Sequence, residues 1–452
     1  MLLSSAPYFV FLGAVFVVYW LSSRSRLGAL LVVLAANYFF YGRWDLAYLI
    51  LIPAASTVDF LLARAMDRGG PRRLWVTLSI LQNVGLIASL KYLPLLTPWH
   101  WALPLGVSFY AFQSMTYTID VYRRDAKPTS DYLAYLCSAS FFPTTLAGPI
   151  TRIATLLPQW DKRALLAPSD GGKALFLIGL GLVKKLLIAD YLGENLINRV
   201  FDTPKLYSGT ETLAAVYGYA FQIYYDFSGY TDIAIGSALL LGIRLPVNFN
   251  RPYAAENIAN FWRRWHISLS NWLRDYLYFS LPGQRSRWKV FAYLNLIVTM
   301  AIGGFWHGAS WTFLAWGLLH GIGLATHRLF QAIRPIKPSP APLARFARRF
   351  ATFHFVVFAW IFFRAPSVDA ALEVLQRIAS LSVSFVNVTP GFAVILALAA
   401  CAHFLPQGWY QRSLDWYCKT PFYVQGAALA LLAIGIQYIA ATGAAPFIYT
   451  KF

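Results

Sequence analysis

Five apolar stretches follow one another over the first 122 residues, near 7–22, 28–42, 46–63, 74–95 and 103–122, and the short segments between them hold most of the charge. Each approaches the ~20 residues an α-helix needs to cross the hydrocarbon core, with tilt absorbing the difference. Further stretches lie near 173–192, 211–243 (one element or two), 290–305, 308–327, 350–364, 388–404 and 422–442. Ten to twelve membrane helices are expected, and the fold class is all-α. Composition agrees. Of 452 residues, 58% are hydrophobic and 13% charged, about half the share of ~25% that covers a soluble surface. Aromatic residues at 17% and only three cysteines exclude collagenous, disordered and disulfide-framework chains. Cys137, Cys401 and Cys418 are scattered, with no metal-ligand spacing, and no metal is expected.

A net charge of +19 would suit nucleic acid, but no charge-rich domain is available to hold a duplex. The basic residues mark loops instead. Arg24 and Arg26 follow the first stretch, Arg64, Arg68, Arg72 and Arg73 the third, and Arg123, Arg124 and Lys127 the fifth. Between the fourth and fifth, LPLLTPWHW holds no Lys or Arg. Cytoplasmic loops collect Lys and Arg, so this alternation places the N-terminus outside. The start, MLLSSAPYFVFLGAVFVVYW, lacks the basic leader of a cleavable signal peptide.

Three segments break the pattern. Residues 131–150, DYLAYLCSASFFPTTLAGPI, are apolar but interrupted by Pro143, Gly148 and Pro149, with basic residues on both sides. They read as a re-entrant hairpin or a kinked helix; irregular backbone at depth requires protein or water to satisfy it. Residues 244–289 are too polar to span, and their Trp and Arg suit shallow helices at headgroup level. Residues 328–349 hold six Lys or Arg, no acid and four prolines, and read as a linker. The expected organisation is N-terminal transmembrane helices over 1–125, a core over 126–330, and the linker with C-terminal helices over 331–452.

Ionisable side chains are costly at membrane depth, so each is a candidate for function. There are seven histidines. His100, His327, His354 and His403 read as interfacial or structural. His266, His307 and His320 fall within 55 residues of one another. His307 stands in AIGGFWHGASWTFLAWGLLHG, where Gly303, Gly304 and Gly308 leave room for a substrate or another backbone, and Trp306 and Trp311 supply apolar surface. Desolvation favours a neutral imidazole, the form a general base needs. His320, thirteen residues on, faces another side of a continuous helix and reads as supporting. His266 lies in the amphipathic stretch, beside Trp265, among charged neighbours. There Arg264, Ser268, Asn271 and Asp275 share one helical face, mixing cation, hydroxyl, amide and carboxylate. A second polar group, Gln222, Asp226, Ser228, Tyr230 and Asp232, interrupts a membrane-depth segment and reads as an interior lining whose carboxylates pair with the Arg-rich stretch.

The runs YYDFSGYTDIAIG, LPVNFNRPYAAENIANFWRRWHISLSNWLRDYLY and GGFWHGASWTFLAWGLLHG resemble the membrane-bound O-acyltransferase (MBOAT) family, in its bacterial alginate O-acetyltransferase (AlgI-like) branch. GVSFYAFQSMTYTIDVYR, FFPTTLAGPITR and the terminal FIYTKF fit that branch too, whereas YFSLPGQR departs from its usual tyrosine followed by Ile-Pro-Leu-Gly-Gly. The resemblance implies a ring of tilted helices around a central tunnel in a bacterial inner membrane. It assigns the membrane-embedded catalytic histidine to His307 and the second motif histidine to His266. Trp265, Arg264, Ser268, Asn271, Asp275, Asp226, Tyr230, Trp306 and His320 become candidate linings for donor or substrate. No tightly bound cofactor is implied. The donor would be a cytoplasmic acyl thioester, acetyl-coenzyme A or an acyl carrier protein. The acceptor would be an exported polysaccharide, reached directly or through a periplasmic acetyltransferase partner. The alternatives are another acceptor (D-alanylation, cellulose, peptidoglycan) or a polytopic transporter, although no inverted repeat is apparent.

Overall fold

The computed structural model describes residues 2–93, 97, 106–145, 148–161, 166–283, 288, 290–334 and 341–439. His100, residues 335–340 of the expected linker and the terminal FIYTKF lie outside the described residues. Among those described, every regular element is helical. The order begins α1 (Ala6–Ser22), α2 (Arg26–Gly42), α3 (Tyr48–Asp67), α4 (Arg72–Ile87), α5 (Val107–Arg123), α6 (Tyr132–Ala139), α7 (Phe142–Thr145), α8 (Ile153–Trp160), α9 (Pro168–Leu182) and α10 (Asn198–Asp202). It continues with α11 (Gly209–Leu240), α12 (Ile258–Trp262), α13 (Ile267–Trp272), α14 (Val290–His307), α15 (Trp311–Ile333) and α16 (Pro342–Arg364). Then come α17 (Val368–Ala379), α18 (Pro390–Phe404), α19 (Gln407–Lys419) and α20 (Phe422–Ile439).

Among the described residues, Tyr48–Asp67, Arg72–Tyr92, Val290–His307 and Pro342–Arg364 are long and apolar enough to cross a bilayer. The pair α18 and α19, bent by 93°, is one broken span or a re-entrant loop, and α1, α2 and Phe422–Ile436 are shorter apolar helices. At ~1.5 Å per residue, α15 with 23 residues and α11 with 32 residues are also of membrane length, with polar groups along them. The chain is a multi-pass all-α membrane protein.

Capping chemistry sets many of the boundaries. Ser25, Asp131, Asn257, Ser310, Ser367 and Thr389 each accept a first-turn N–H with the side chain, which satisfies a donor the helix cannot. The expected linker is shorter than the sequence suggested. Residues 328–333 continue α15 and 342–349 begin α16, because Pro342 occupies the first turn of α16, where its missing N–H costs nothing. Residues 131–150 are a broken element, with α6 ending at Ala139 and the single turn of α7 following, both buried. Residues 244–289 form short helical pieces rather than one amphipathic helix.

The chain divides into two compact units. The first holds Met1–Gly181, Tyr230–Pro246 and Leu414–Ala430. In it the fully buried Asp59 of α3 accepts from Ser79 (2.7 Å), Asn83 (2.8 Å) and Ser114 (2.6 Å) on α4 and α5. Arg72 caps the ends of two helices, donating to the carbonyls of Met66, Val121 and Tyr122. The second unit holds Leu182–Gly229, Val247–Ser413 and Leu431–Phe452. Its core is strongly aromatic, with Trp265, Trp316 and Trp360 almost fully buried beside Tyr219, Tyr253 and Phe261.

Candidate active site

His307 is the last residue of α14, and three residues later Ser310 caps α15. The two helices form a hairpin whose backbones run close together. A side chain at Gly304 would strike the carbonyl of Phe313 and the Cα of Gly317, and one at Gly317 or Gly321 would strike the backbone of α14. Small residues on a shared seam allow this approach. The glycines around His307 therefore admit a second helix, and Gly308 makes way for the Phe313 ring. The imidazole is 4% exposed. It packs against Trp306 (4.6 Å between centroids), Trp316 (5.2 Å), Phe363 (5.1 Å) and Phe313 (6.3 Å). Trp311, expected as a neighbour, is 74% exposed; as the first residue of α15 it lies beyond the turn.

The break at 308–310 also changes the relation of the histidines. His307 and His320 lie on different helices, not on two sides of one, and Trp316 joins them, with its ring 5.0 Å from His320. His320 is fully buried, and its Nδ1 accepts from the indole N–H of Trp262 at 3.3 Å. Ring contacts then run from Trp316 to Trp360 (5.8 Å) and from Trp360 to Trp265 (4.9 Å), the residue before His266. One continuous aromatic cluster thus carries both signature motifs.

His266 adopts a left-handed backbone, φ 41° and ψ 55°, as the residue that starts α13. Such a conformation in a non-glycine residue costs of order 1–3 kcal/mol and persists where the surroundings impose it. Asn248 imposes it here. Its carbonyl accepts the Ile267 N–H (2.9 Å), and its side-chain Oδ1 accepts the Ser268 N–H (3.1 Å) and hydroxyl (2.9 Å). The same Oδ1 lies 3.2 Å from His266 Nδ1. An amide oxygen only accepts, so Nδ1 carries the proton and Nε2 presents a lone pair. Burial lowers this imidazole to about 3, so it is neutral at pH 7. The Phe227 ring meets it edge-on at 4.6 Å. Charged neighbours were expected around His266, but its side chain turns into the core. Asn248 was not foreseen; its only signal in the sequence is an amide in the extended run before the motif.

The turn at His266 also separates residues expected on one face. Arg264 precedes the break and bonds to Asn260 and the Asn250 carbonyl. Ser268, Asn271 and Asp275 follow it. Ser268 is buried on Asn248, Asn271 is exposed, and Asp275 pairs with its neighbour Arg274 at 2.7 Å. Tyr230 belongs to the first unit, where the Ser4 hydroxyl donates to it at 3.4 Å. Asp226 pairs with Lys185 (2.6 Å), which also binds Asp190 at 2.7 Å. The pair five residues apart owes its contact to the π-helical turns of Val183–Asp190. An α-helix would place those side chains ~140° apart, whereas i to i+5 spacing stacks them. Lys185 was missed because it lies inside the stretch 173–192, which reads as a single apolar span. His354 bonds through both ring nitrogens, to Tyr217 and the Phe350 carbonyl, and His403 accepts the Tyr253 N–H. Both have structural bonds, as expected. No metal-binding group of His, Cys, Asp and Glu occurs among the described residues.

A basic face borders this region. Arg348 and Arg349 reach Glu256 at 3.7 and 3.5 Å. Burial, and then the neighbouring Arg251 and Arg349, lowers the Arg264 guanidinium below its usual range.

The family model described as MBOAT, membrane-bound O-acyltransferase family, matches residues 87–371. The chain is 32% identical to the peptidoglycan O-acetyltransferase of Helicobacter pylori, over 100% of this chain and 98% of that protein. It is 37% identical to the probable alginate O-acetylase AlgI of Azotobacter vinelandii, over 81% of this chain and 76% of the relative. With the teichoic acid D-alanyltransferase of Streptococcus thermophilus it shares 32% identity over 49% and 55%.

Proposed function

The chain belongs to the membrane-bound O-acyltransferase family, and we propose that it passes acetyl from a cytoplasmic thioester to hydroxyls of an exported polysaccharide such as alginate. The observation that carries this reading is the pair of buried histidines on one aromatic cluster. His307 stands at a helix end inside a ring of aromatic side chains. His266 is kept neutral by burial, and Asn248, accepting from Nδ1, leaves the lone pair at Nε2. In this reading the imidazole of His307 takes the proton of the acceptor hydroxyl as its oxygen adds to the thioester carbon. The carbon–sulfur bond then breaks, and the departing thiolate takes that proton, leaving ester and thiol. His266 serves the donor side. The Arg251, Arg264 and Arg349 face suits a phosphate-bearing donor, coenzyme A or an acyl carrier protein, which is a substrate and not a resident cofactor.

The enzyme would lie in a bacterial inner membrane with a periplasmic N-terminus, and a periplasmic acetyltransferase would relay the acyl group to sugar. The full-length match to a peptidoglycan O-acetyltransferase favours a second acceptor, cell-wall glycan. Two measurements test the reading. Detergent-purified protein should transfer labelled acetyl from acetyl-coenzyme A or acetyl-carrier protein, and transfer from neither would overturn the thioester donor. In cells lacking the chain, alkali-labile acetyl should vanish from exopolysaccharide; loss from muropeptides alone would select the cell wall.

A further inference from the structure

Two hydrogen-bond donors on α15 are buried without an acceptor among the described residues: the Trp316 indole N–H and His320 Nε2. Trp316 is 2% exposed and His320 0%. The donor state of His320 follows from its partner. Trp262 Nε1 donates to Nδ1 at 3.3 Å, and an indole N–H never accepts, so Nδ1 is the bare nitrogen. A second proton there would set two N–H groups against each other. The ring is therefore neutral with its proton on Nε2.

A buried donor without an acceptor is costly, because it has given up its bond to water. Two of them stand one helical turn apart on the same face of α15, with rings 5.0 Å from each other. The first of the two packs 5.2 Å from His307, at 89°. We propose that Trp316 Nε1–H and His320 Nε2–H form the subsite for the acyl carbonyl oxygen, with Trp262 fixing the His320 tautomer. This rests on the reading of His307 as the base. As the hydroxyl oxygen bonds to the carbonyl carbon, the C=O electron pair moves to oxygen, and these two donors meet the resulting negative charge. When the pair returns, the C–S bond breaks and the thiolate recovers the proton from His307. Donors aimed at a developing oxyanion in a dry site act most strongly in the transition state. Trp262 touches neither base nor acyl group; it is a positioning residue.

Acetyl transfer from labelled acetyl-coenzyme A by purified variants tests this, with melting temperatures measured alongside. Trp316→Phe and His320→Leu should each lower kcat ~10²–10³-fold, the scale of one oxyanion donor, with KM for acetyl-coenzyme A little changed. Trp316→Phe removes a donor that has no partner among the described residues, so its melting temperature should hold or rise; His320→Leu also strips the Trp262 N–H of its acceptor and should melt lower. His320→Gln, which restores an N–H near the Nε2 position, should recover most of what His320→Leu loses. Trp262→Phe should lower kcat and raise the pH sensitivity of the rate. Near-parental kcat in both Trp316→Phe and His320→Leu, with His307→Ala inactive, would leave the base in place and overturn the subsite, making the donors holders of an ordered water. Loss of kcat together with melting temperature in both would overturn it as well, assigning the pair to packing. A parent that transfers nothing, or an active His307→Ala, would remove the reading on which the subsite rests.

Discussion

At the scale of single residues, the two signature histidines differ in how they are held. His307 is enclosed by aromatic rings at the end of α14. His307→Ala is expected to lower acetyl transfer by ~10²–10⁴-fold or more while size-exclusion profiles stay parental; near-parental turnover would contradict the role of base proposed for it. His266 owes its tautomer to Asn248, and its burial makes a pH signature. The folded imidazole is lowered to about 3, while an unfolded histidine titrates near 6.5. Between these values the unfolded chain binds the extra proton, so this contribution to stability is complete above about 6.5 and declines as pH falls toward 3. From pH 6.5 to 5 the decline is about 2 kcal/mol for this one group. Thermal melts at pH 7 and pH 5 should diverge less in His266→Gln than in the parent; equal divergence would mean that water reaches the ring. His307 was legible in the sequence because an imidazole is rare at membrane depth, and His266 because its motif of contiguous residues resembles the family's. Asn248 and Lys185 were not, because their meaning comes from partners 18 and 41 residues away.

At the scale of elements, glycine placement decides the hairpin of α14 and α15. Gly304→Val drives a side chain into the backbone of α15. It should cost at least ~1–3 kcal/mol as overpacking and lower transfer, since the same hairpin carries His307 and Trp316. Gly303→Ala meets only the end of Leu273 at 3.4 Å and should be tolerated in both melt and turnover. Equal effects of the two would show that the seam is not what seats His307. The Lys185–Asp226 contact ties the π-helical turns of Val183–Asp190 to α11. Lys185→Met leaves buried carboxylate behind and should cost ~3–5 kcal/mol. Adding Asp226→Leu should recover part of that loss in the same melting assay, Asp190 keeping the rest; a double variant no better than the single would show that Asp226 is not the carboxylate whose charge Lys185 offsets. Sequence periodicity found these elements but joined too much. It extended one helix from His307 to His320 and one face from Arg264 to Asp275, because apolar and amphipathic patterns continue smoothly through both breaks. The breaks come from a three-residue turn and from a left-handed backbone at His266.

At the scale of the whole molecule, the basic loops predict sidedness, with 22–27, 64–73, 123–130 and 328–349 facing the cytoplasm. A cysteine placed at Gly70 should resist a membrane-impermeant maleimide in intact cells and react in opened ones; labelling in intact cells would reverse the topology. Residues 204–212 and 380–388 give an internal check. Thr210 N–H donates to the Ser382 carbonyl (3.1 Å), Ser208 Oγ to the Ser384 carbonyl (3.0 Å), and Arg377 to the Tyr207 carbonyl (2.9 Å). Cysteines at Lys205 and Val386 should therefore label from the same side.

By itself the sequence determined the environment, the helical class, the family and the two motif histidines. Each follows from local quantities: the cost of charge in hydrocarbon, the length of a span and the identity of contiguous residues. Only the tertiary structure decided which groups act on one another. It placed Asn248 under His266, set Trp262 against His320, gave Asp226 a lysine partner, and used the glycines to seat one helix on another. Those pairings depend on turns of one to three residues and on π-helical turns. Such features alter the direction of a side chain without altering the hydrophobic pattern that a sequence displays.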